Sequence, residues 1–289
     1  LSPGSDHAVI MGEITHSGGE ENIVDLFWGD NDGNQSLSNW DSNATPLGAG
    51  KEGFYGTTIS GLTAGETYYY RLRSQGKLNP KGISGANMKL WLDASELSSA
   101  DSTWTDKSGN GNDATKNGSP SVITGSQNGL SVMRYSGANS DFHSFTQLTD
   151  IRTVFWVIKA SGQDQFLLGD TSGNIYHFHN TASRFWNGHA SSNIRNGTTR
   201  LNGSVINGTN TSYPTSLGII SLKTTDNVTA NNFSRDRNKN NRNWNGDLGE
   251  LIIYNSGLSD SDIAKVEGYL VHKWGLASRL DDGHTYKSN

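Results

Sequence analysis

The residues best suited to chemistry in this chain are polar and aromatic, and they cluster in its second half. His177 and His179 stand two apart in a run of strand-forming residues, Ile175 to His179, so their imidazoles share one strand face. His189 follows ten residues after His179. Three imidazoles are a donor set for a transition metal. No carboxylate accompanies them, however, and a polar concave surface explains them better. Arg184, Trp186 and Asn187 lie on the following segment. An indole stacks on the C–H face of a sugar ring while imidazole, guanidinium and amide groups fix its hydroxyls, the usual economy of a small-ligand cleft. Trp186 as a core side chain is an equal alternative.

A second concentration runs from Ser234 to Trp244 and carries four bases, Arg235, Arg237, Lys239 and Arg242, against one acid, Asp236. Guanidinium forks match carboxylates or sulfates, so Arg237, Arg242 and Trp244 are candidate contacts to an acidic polysaccharide. An internal ion pair with Asp236 fits the same residues, and a solvated loop is the third reading. Asp106 and Asp113, separated by Ser and Gly-rich turns that free backbone carbonyls, are hard oxygen donors suited to calcium. Asx-turns explain them equally well. Asp30, Asp32 and Asn34, with Asp41 farther on, have a faint calcium-loop spacing, but Gln35 stands where the sharp turn needs glycine. A hairpin turn, with Gly33 supplying positive φ, is the preferred reading.

Composition limits what these groups can belong to. Charged residues are 18% of the chain and hydrophobic ones 33%, yet 8 Trp, 10 Tyr and 9 Phe supply the bulk for real cores. With 35 glycines and many Asn, Ser and Thr, that mixture describes short strands joined by turns rather than disorder. Cysteine is absent, which removes disulfides and thiolate zinc sites. Among secreted proteins it favours a bacterial surface over an animal matrix. The net charge of −5 resides in residues 1–85, with 10 acids and 5 bases; residues 86–289 hold 18 of each. No basic face suited to nucleic acid results. No apolar run is long enough to span a membrane. No signal peptide is read, and Leu1 is expected to be a processed or trimmed start.

Two modules must position these groups. In residues 1–80 strands are expected at Ala8–Met11, Ile23–Trp28 and Thr57–Ile59. The segment Leu62-Thr63-Ala64-Gly65-Glu66-Thr67-Tyr68-Tyr69-Tyr70-Arg71 has the pattern of a tyrosine corner, with Tyr68 as the tyrosine and Tyr70 on the same side. The polar stretch Ser74–Gly82 is the natural boundary. From Met88 on, strands are expected at Leu90–Ser95, Thr153–Lys159, Gln165–Leu168, Ile175–His179, Thr199–Ser204, Leu217–Leu222 and Leu248–Tyr254. Thr153–Lys159 is apolar on both faces, as a central strand is. Ser259 and Asp262 frame the start of a helix whose Ile263, Val266, Leu270 and Trp274 share one face, and Gly275 stops it.

Residues 1–76 resemble a fibronectin type III domain, which implies a spacer. The run Trp104-Thr105-Asp106-Lys107-Ser108-Gly109-Asn110-Gly111-Asn112-Asp113, with Gly246–Tyr254 and the closing helix, resembles laminin-G-like (concanavalin A-like) jelly rolls of secreted bacterial proteins. The expected architecture is therefore all-β: a fibronectin-III-like β-sandwich over 1–80, then a laminin-G-like jelly roll over 86–289 with one short C-terminal helix. The resemblance implies an extracellular or cell-surface module that holds a polysaccharide or cell-surface glycan, with structural calcium and with neighbouring copies or domains of one surface protein as further partners. Hydrolases of the same superfold use a Glu-x-Asp-x-x-Glu run that sets two carboxylates about 5 Å apart. No such run exists here, and Asp247 and Glu250, three apart, fall on opposite faces of a regular strand. The chain is therefore expected not to be an enzyme. A structural repeat of a giant surface protein and a polysaccharide-degrading enzyme are the two rival readings.

Overall fold

Residues with strand-period alternation give the first unit, Leu1–Lys77, two antiparallel sheets. Strand β1 (His7–Ile14) pairs with β4 (Gly53–Ser60), while β2 (Asn22–Gly29) lies between β3 (Thr45–Gly50) and β5 (Tyr69–Gly76). Ala8, Leu26, Ile59 and Leu62 form the core, with Trp28, Tyr68 and Leu72 packed against it. The Tyr68 hydroxyl accepts the Thr63 N–H at 3.1 Å and so pins the corner before β5. Tyr70 is 55% exposed. After β2 the left-handed residue is Asn34 (φ 51°) rather than Gly33, and its N–H is held by Asp32 Oδ1 at 2.9 Å. The computed structural model describes residues 6–15, 22–34, 39–42, 44–50, 52–76, 80–98, 101–138, 140–162, 166–171, 178, 184–237 and 242–287.

The second unit, Leu78–Asn289, begins with a short helix, α1 (Pro80–Ser84), and is built around two long strands. β11 (Phe142–Ala160) and β15 (Gly218–Phe233) pair along most of their length, with register breaks between Ser144 and Thr153. Their halves meet different neighbours. Before the breaks β11 pairs with β8 (Ala114–Asn117), which also pairs with β7 (Thr103–Trp104); β12 (Leu168–Gly169) joins the far half of β15. Beyond the breaks β11 pairs with β16 (Asn245–Tyr254), whose other edge takes β6 (Met88–Asp93) and β10 (Leu130–Ser136), with β9 (Ser121–Gln127) outermost. The hairpin β13 (Thr198–Leu201) and β14 (Ser204–Ile206) lines the other side of β15, just after helix α2 (Ser192–Arg195). The result is an all-β sandwich closed by one C-terminal helix, α3 (Asp260–Lys273).

Alternation along β11 explains its apolar run. Val154, Trp156 and Ile158 enter the core between the sheet layers, while Phe155 and Val157 enter a second core beneath α3. The helix contributes Ile263, Val266, Leu270 and Val271 to that core, and Trp274 follows; each such fully buried side chain stabilises by about 1.5–3 kcal/mol. Ser259 Oγ accepts the Asp262 N–H at 3.1 Å and donates to Asp262 Oδ2 at 2.8 Å, an N-cap whose hydroxyl is held by the N3 carboxylate. At the other end Gly275 (φ 64°) lets the Leu276 N–H reach Val271 O at 2.7 Å and its own N–H reach His272 O at 3.3 Å, a Schellman stop.

Some expected strands change extent. Of the one expected at Gln165–Leu168, Phe166 and Leu167 are not strand, Leu168 belongs to β12, and Gln165 lies outside the described residues. The stretch Thr199–Ser204 is a hairpin turning at Asn202 (φ 49°) and Gly203 (φ 82°). The strand expected at Ile175–His179 lies outside the described residues, Phe178 apart.

Candidate functional site

The loop from Trp104 to Ala114 is a structural clamp. Asp106 Oδ1 accepts the N–H groups of Trp91 and Ser108, both at 2.9 Å; Oδ2 accepts Ser108 Oγ at 2.7 Å and the Asn112 N–H at 3.1 Å. Asp113 Oδ1 takes the Asp106 N–H at 2.7 Å. The amides of Asn110 and Asn112 donate to Met88 O and Lys89 O, both at 2.8 Å. The motif's residue types thus fasten the backbone of β6. Both oxygens of Asp106 already carry two donors each, so the donor set does not fit a calcium ion. Among the described residues no group of three His, Asp or Glu side chains is arranged to hold a metal.

The remaining candidates separate. His177 and His179 lie outside the described residues. Trp186 is 1% exposed, with its indole N–H on Thr199 Oγ1 at 2.8 Å and its ring against Phe178 and Phe185. Trp244 is fully buried, edge-on to Tyr213. Stacking on a sugar needs a free ring face, and neither indole offers one, because the sandwich core has taken both. Arg237 and Arg242 converge on the buried carboxylate of Asp236, each at 2.9 Å. That is the internal ion pair, and burial of the carboxylate makes it a structural one. Asn187 is half-buried and holds the His189 N–H at 2.8 Å through Oδ1. Among the described residues of this set Arg184 alone stands exposed, bridged to Ser212.

Asp247 and Glu250 require a correction. Val157 of β11 pairs with Glu250 and Ile158 with Leu248, so two residues of β16 oppose one of β11 across a bulge containing Gly249. The extra residue reverses the alternation and brings Asp247 and Glu250 to the same, helix-side face. A Cβ at position 249 would lie 2.9 Å from the Trp274 ring, so glycine lets the indole pack there. Glu250 is fully buried. It accepts the indole N–H groups of Trp91 (2.7 Å) and Trp274 (2.9 Å) and the Lys273 ammonium (2.9 Å). Burial, then the nearby Asp93, pushes its carboxyl above the ordinary range despite Lys273. Asp93, 4% exposed, pairs with both Lys107 and Lys273. These two carboxylates are walled in by indoles and ammonium groups and reach no open surface.

Asp247 lines a rim pocket of about 180 Å³ that presents polar groups to solvent. Ser126 and Gln127 come from the end of β9, Lys159 from β11, Thr215, Ser216 and Leu217 from the approach to β15, and Arg279 from the turn after α3. Asp247 is committed to Arg134, with Nε–Oδ1 at 2.7 Å and the second contact at 2.9 Å. Lys159 stands opposite Asp247 in register, half-buried, and its ammonium has no ion-pair partner among the described residues. Arg279 is exposed and donates to the neutral Ser216 Oγ. Five separate segments build this site, and no local spacing marks it in the sequence.

No protein-family model and no curated protein matches the chain, so neither resemblance drawn from its motifs amounts to a family assignment. Among solved structures it is similar to a Trypanosoma rangeli sialidase in complex with sialic acid, at 11% identity and a TM-score of 0.39. The alignment covers 92% of this chain and spans about half, 53%, of the sialidase. The expectation that the chain is not an enzyme is corrected on this point: a sialidase stands among its structural neighbours, and absence of catalysis is not carried forward as a property of the chain. A likeness this slight supports no argument for sialidase chemistry either.

Proposed function

We propose that the larger unit is a laminin-G-like carbohydrate-binding module of a bacterial secreted or surface protein, carried beside a fibronectin-III-like spacer, and that its sugar contact is the rim pocket. The observation that carries this reading is the pocket itself: an ammonium, a guanidinium, the Asp247 carboxylate and four neutral polar side chains around the single apolar Leu217, open to solvent. At about 180 Å³ it is smaller than the usual ligand cleft. It therefore suits one sugar residue or a chain end, held by hydrogen bonds rather than by a stacked indole. Affinity per module is then weak, and tandem copies in a larger protein raise it by avidity.

A glycan array probed with the intact chain, with and without EDTA, tests the proposal, and reducing-end release on the bound glycans reads any cleavage in the same samples. Retention of at least one glycan class, weakened by Lys159→Gln, is the expected result. An array with no retained glycan overturns the proposal.

A further inference from the structure

The pocket's charges point to a narrower ligand class, an inference that rests on the glycan reading above. We propose that the rim pocket takes a sugar residue bearing an oxyanion, a carboxylate or a sulfate, gripped between Lys159 and Arg279.

Three observations carry this. First, the two cations lining the pocket face only one acid, Asp247, and both of its oxygens are engaged by Arg134. Second, Lys159 is half-buried without a counter-ion among the described residues. A partly desolvated ammonium gains more from an incoming anion than a solvated one does, because the local dielectric is lower. Third, among the described residues Arg279 has only a neutral hydroxyl, Ser216 Oγ, as its hydrogen-bond partner, which leaves most of its five donors for a planar or tetrahedral oxyanion. Ser126, Gln127 and Thr215 then remain for ring hydroxyls, and Leu217 for a C–H face. A neutral sugar would leave both cations uncompensated and so be bound less well.

The experiment is calorimetric titration of the intact chain with three probes: tri-galacturonate, galactotriose and a sulfated galactan trisaccharide. The acidic probes bind at least tenfold more tightly than galactotriose, and the pair of them tells carboxylate from sulfate. Lys159→Met keeps the aliphatic stem and lowers acidic-probe affinity about tenfold or more, as does Arg279→Gln, in line with the strength of charge-assisted hydrogen bonds. Galactotriose affinity falls by a clearly smaller factor in either, and the exposed Arg184→Gln leaves all three titrations as they were. Raising salt from about 50 to about 500 mM weakens the acidic probes alone, a readout that needs no variant to fold. Equal binding of neutral and acidic probes, or acidic binding indifferent to both variants and to salt, overturns the charge inference and leaves the glycan reading standing. Absence of binding by all three, with an array that retains nothing, overturns both.

Discussion

Lys273 donates to Glu250 across the junction of helix and sheet, Nζ to Oε2 at 2.9 Å, and the same ammonium pairs with Asp93. One cation thus joins β6, β16 and α3. Taking it away leaves Asp93 to Lys107 alone and the buried Glu250 carboxylate without a cation. Lys273→Met is therefore expected to destabilise the larger unit by about 3–5 kcal/mol, whereas Glu250→Gln, whose one carbonyl oxygen still accepts from Trp274 and Lys273 and which gives up only the Trp91 bond, costs less. Denaturant unfolding of both variants checks the order. A Lys273→Met cost equal to or below that of Glu250→Gln contradicts the assignment.

His143 supplies the acid limit of stability. It is 2% exposed, with its Nδ1 2.7 Å from the Tyr135 hydroxyl and its ring edge-on to Trp104. Burial first, and then the charge of Lys116, lowers its pKa from 6.5 to about 4. The folded state thus binds fewer protons than the unfolded one between these values. Stability from this site is complete above pH 6.5 and drains away as pH falls toward 4, by about 3 kcal/mol in all. His143→Gln is expected to lack that component, so unfolding free energies of the two proteins converge as pH drops. Curves that stay parallel from pH 7.5 to 4.5 rule it out.

In the smaller unit, the Tyr68 hydroxyl accepts the Thr63 N–H at 3.1 Å. Tyr68→Phe retains the ring contact with Trp28 and removes only that bond. A loss of about 1 kcal/mol is expected, seen as faster amide exchange at Thr63 and a lower midpoint for this unit. Unchanged exchange at Thr63 is incompatible with the corner.

The cap of α3 gives a fourth expectation. Ser259→Ala removes both the bond to the Asp262 N–H and that to its carboxylate, at a cost of about 1 kcal/mol. Lys265 holds the Asp262 carboxylate below the ordinary range together with Ser259. Titration of Asp262 by NMR should therefore move upward in the variant, and an unmoved titration argues against this cap.

What could be read from the sequence was what is local. The helix announced both its ends through Ser259 and Gly275. The apolar run Thr153–Lys159 announced a strand packed on both faces, and Tyr68 announced its corner. What could not be read depends on bulges and on distant segments. The alternation rule places Asp247 and Glu250 on opposite faces; one extra residue at Gly249, admitted because Trp274 needs the space, places them on the same one. Trp186 carried equal weight as a binding ring and as core, and Trp244 stood as a binding ring; the packing of Phe178, Phe185 and Tyr213 puts both in the core. Asp106 had the chemistry of a calcium ligand, but its oxygens are spent on backbone N–H groups of β6 and of its own loop. The rim pocket joins Gln127, Lys159, Thr215, Asp247 and Arg279, residues with no common spacing or motif.

The most direct measurement is an amide chemical-shift map of the intact, isotope-labelled chain titrated with tri-galacturonate. Perturbations gathered at Ser126, Gln127, Lys159, Thr215 to Leu217 and Arg279, absent in the Lys159→Met variant, are the result expected of a sugar held at the rim. Perturbations centred on Arg184 to Asn187 or on Arg242 to Trp244, or no perturbation at all, contradict it.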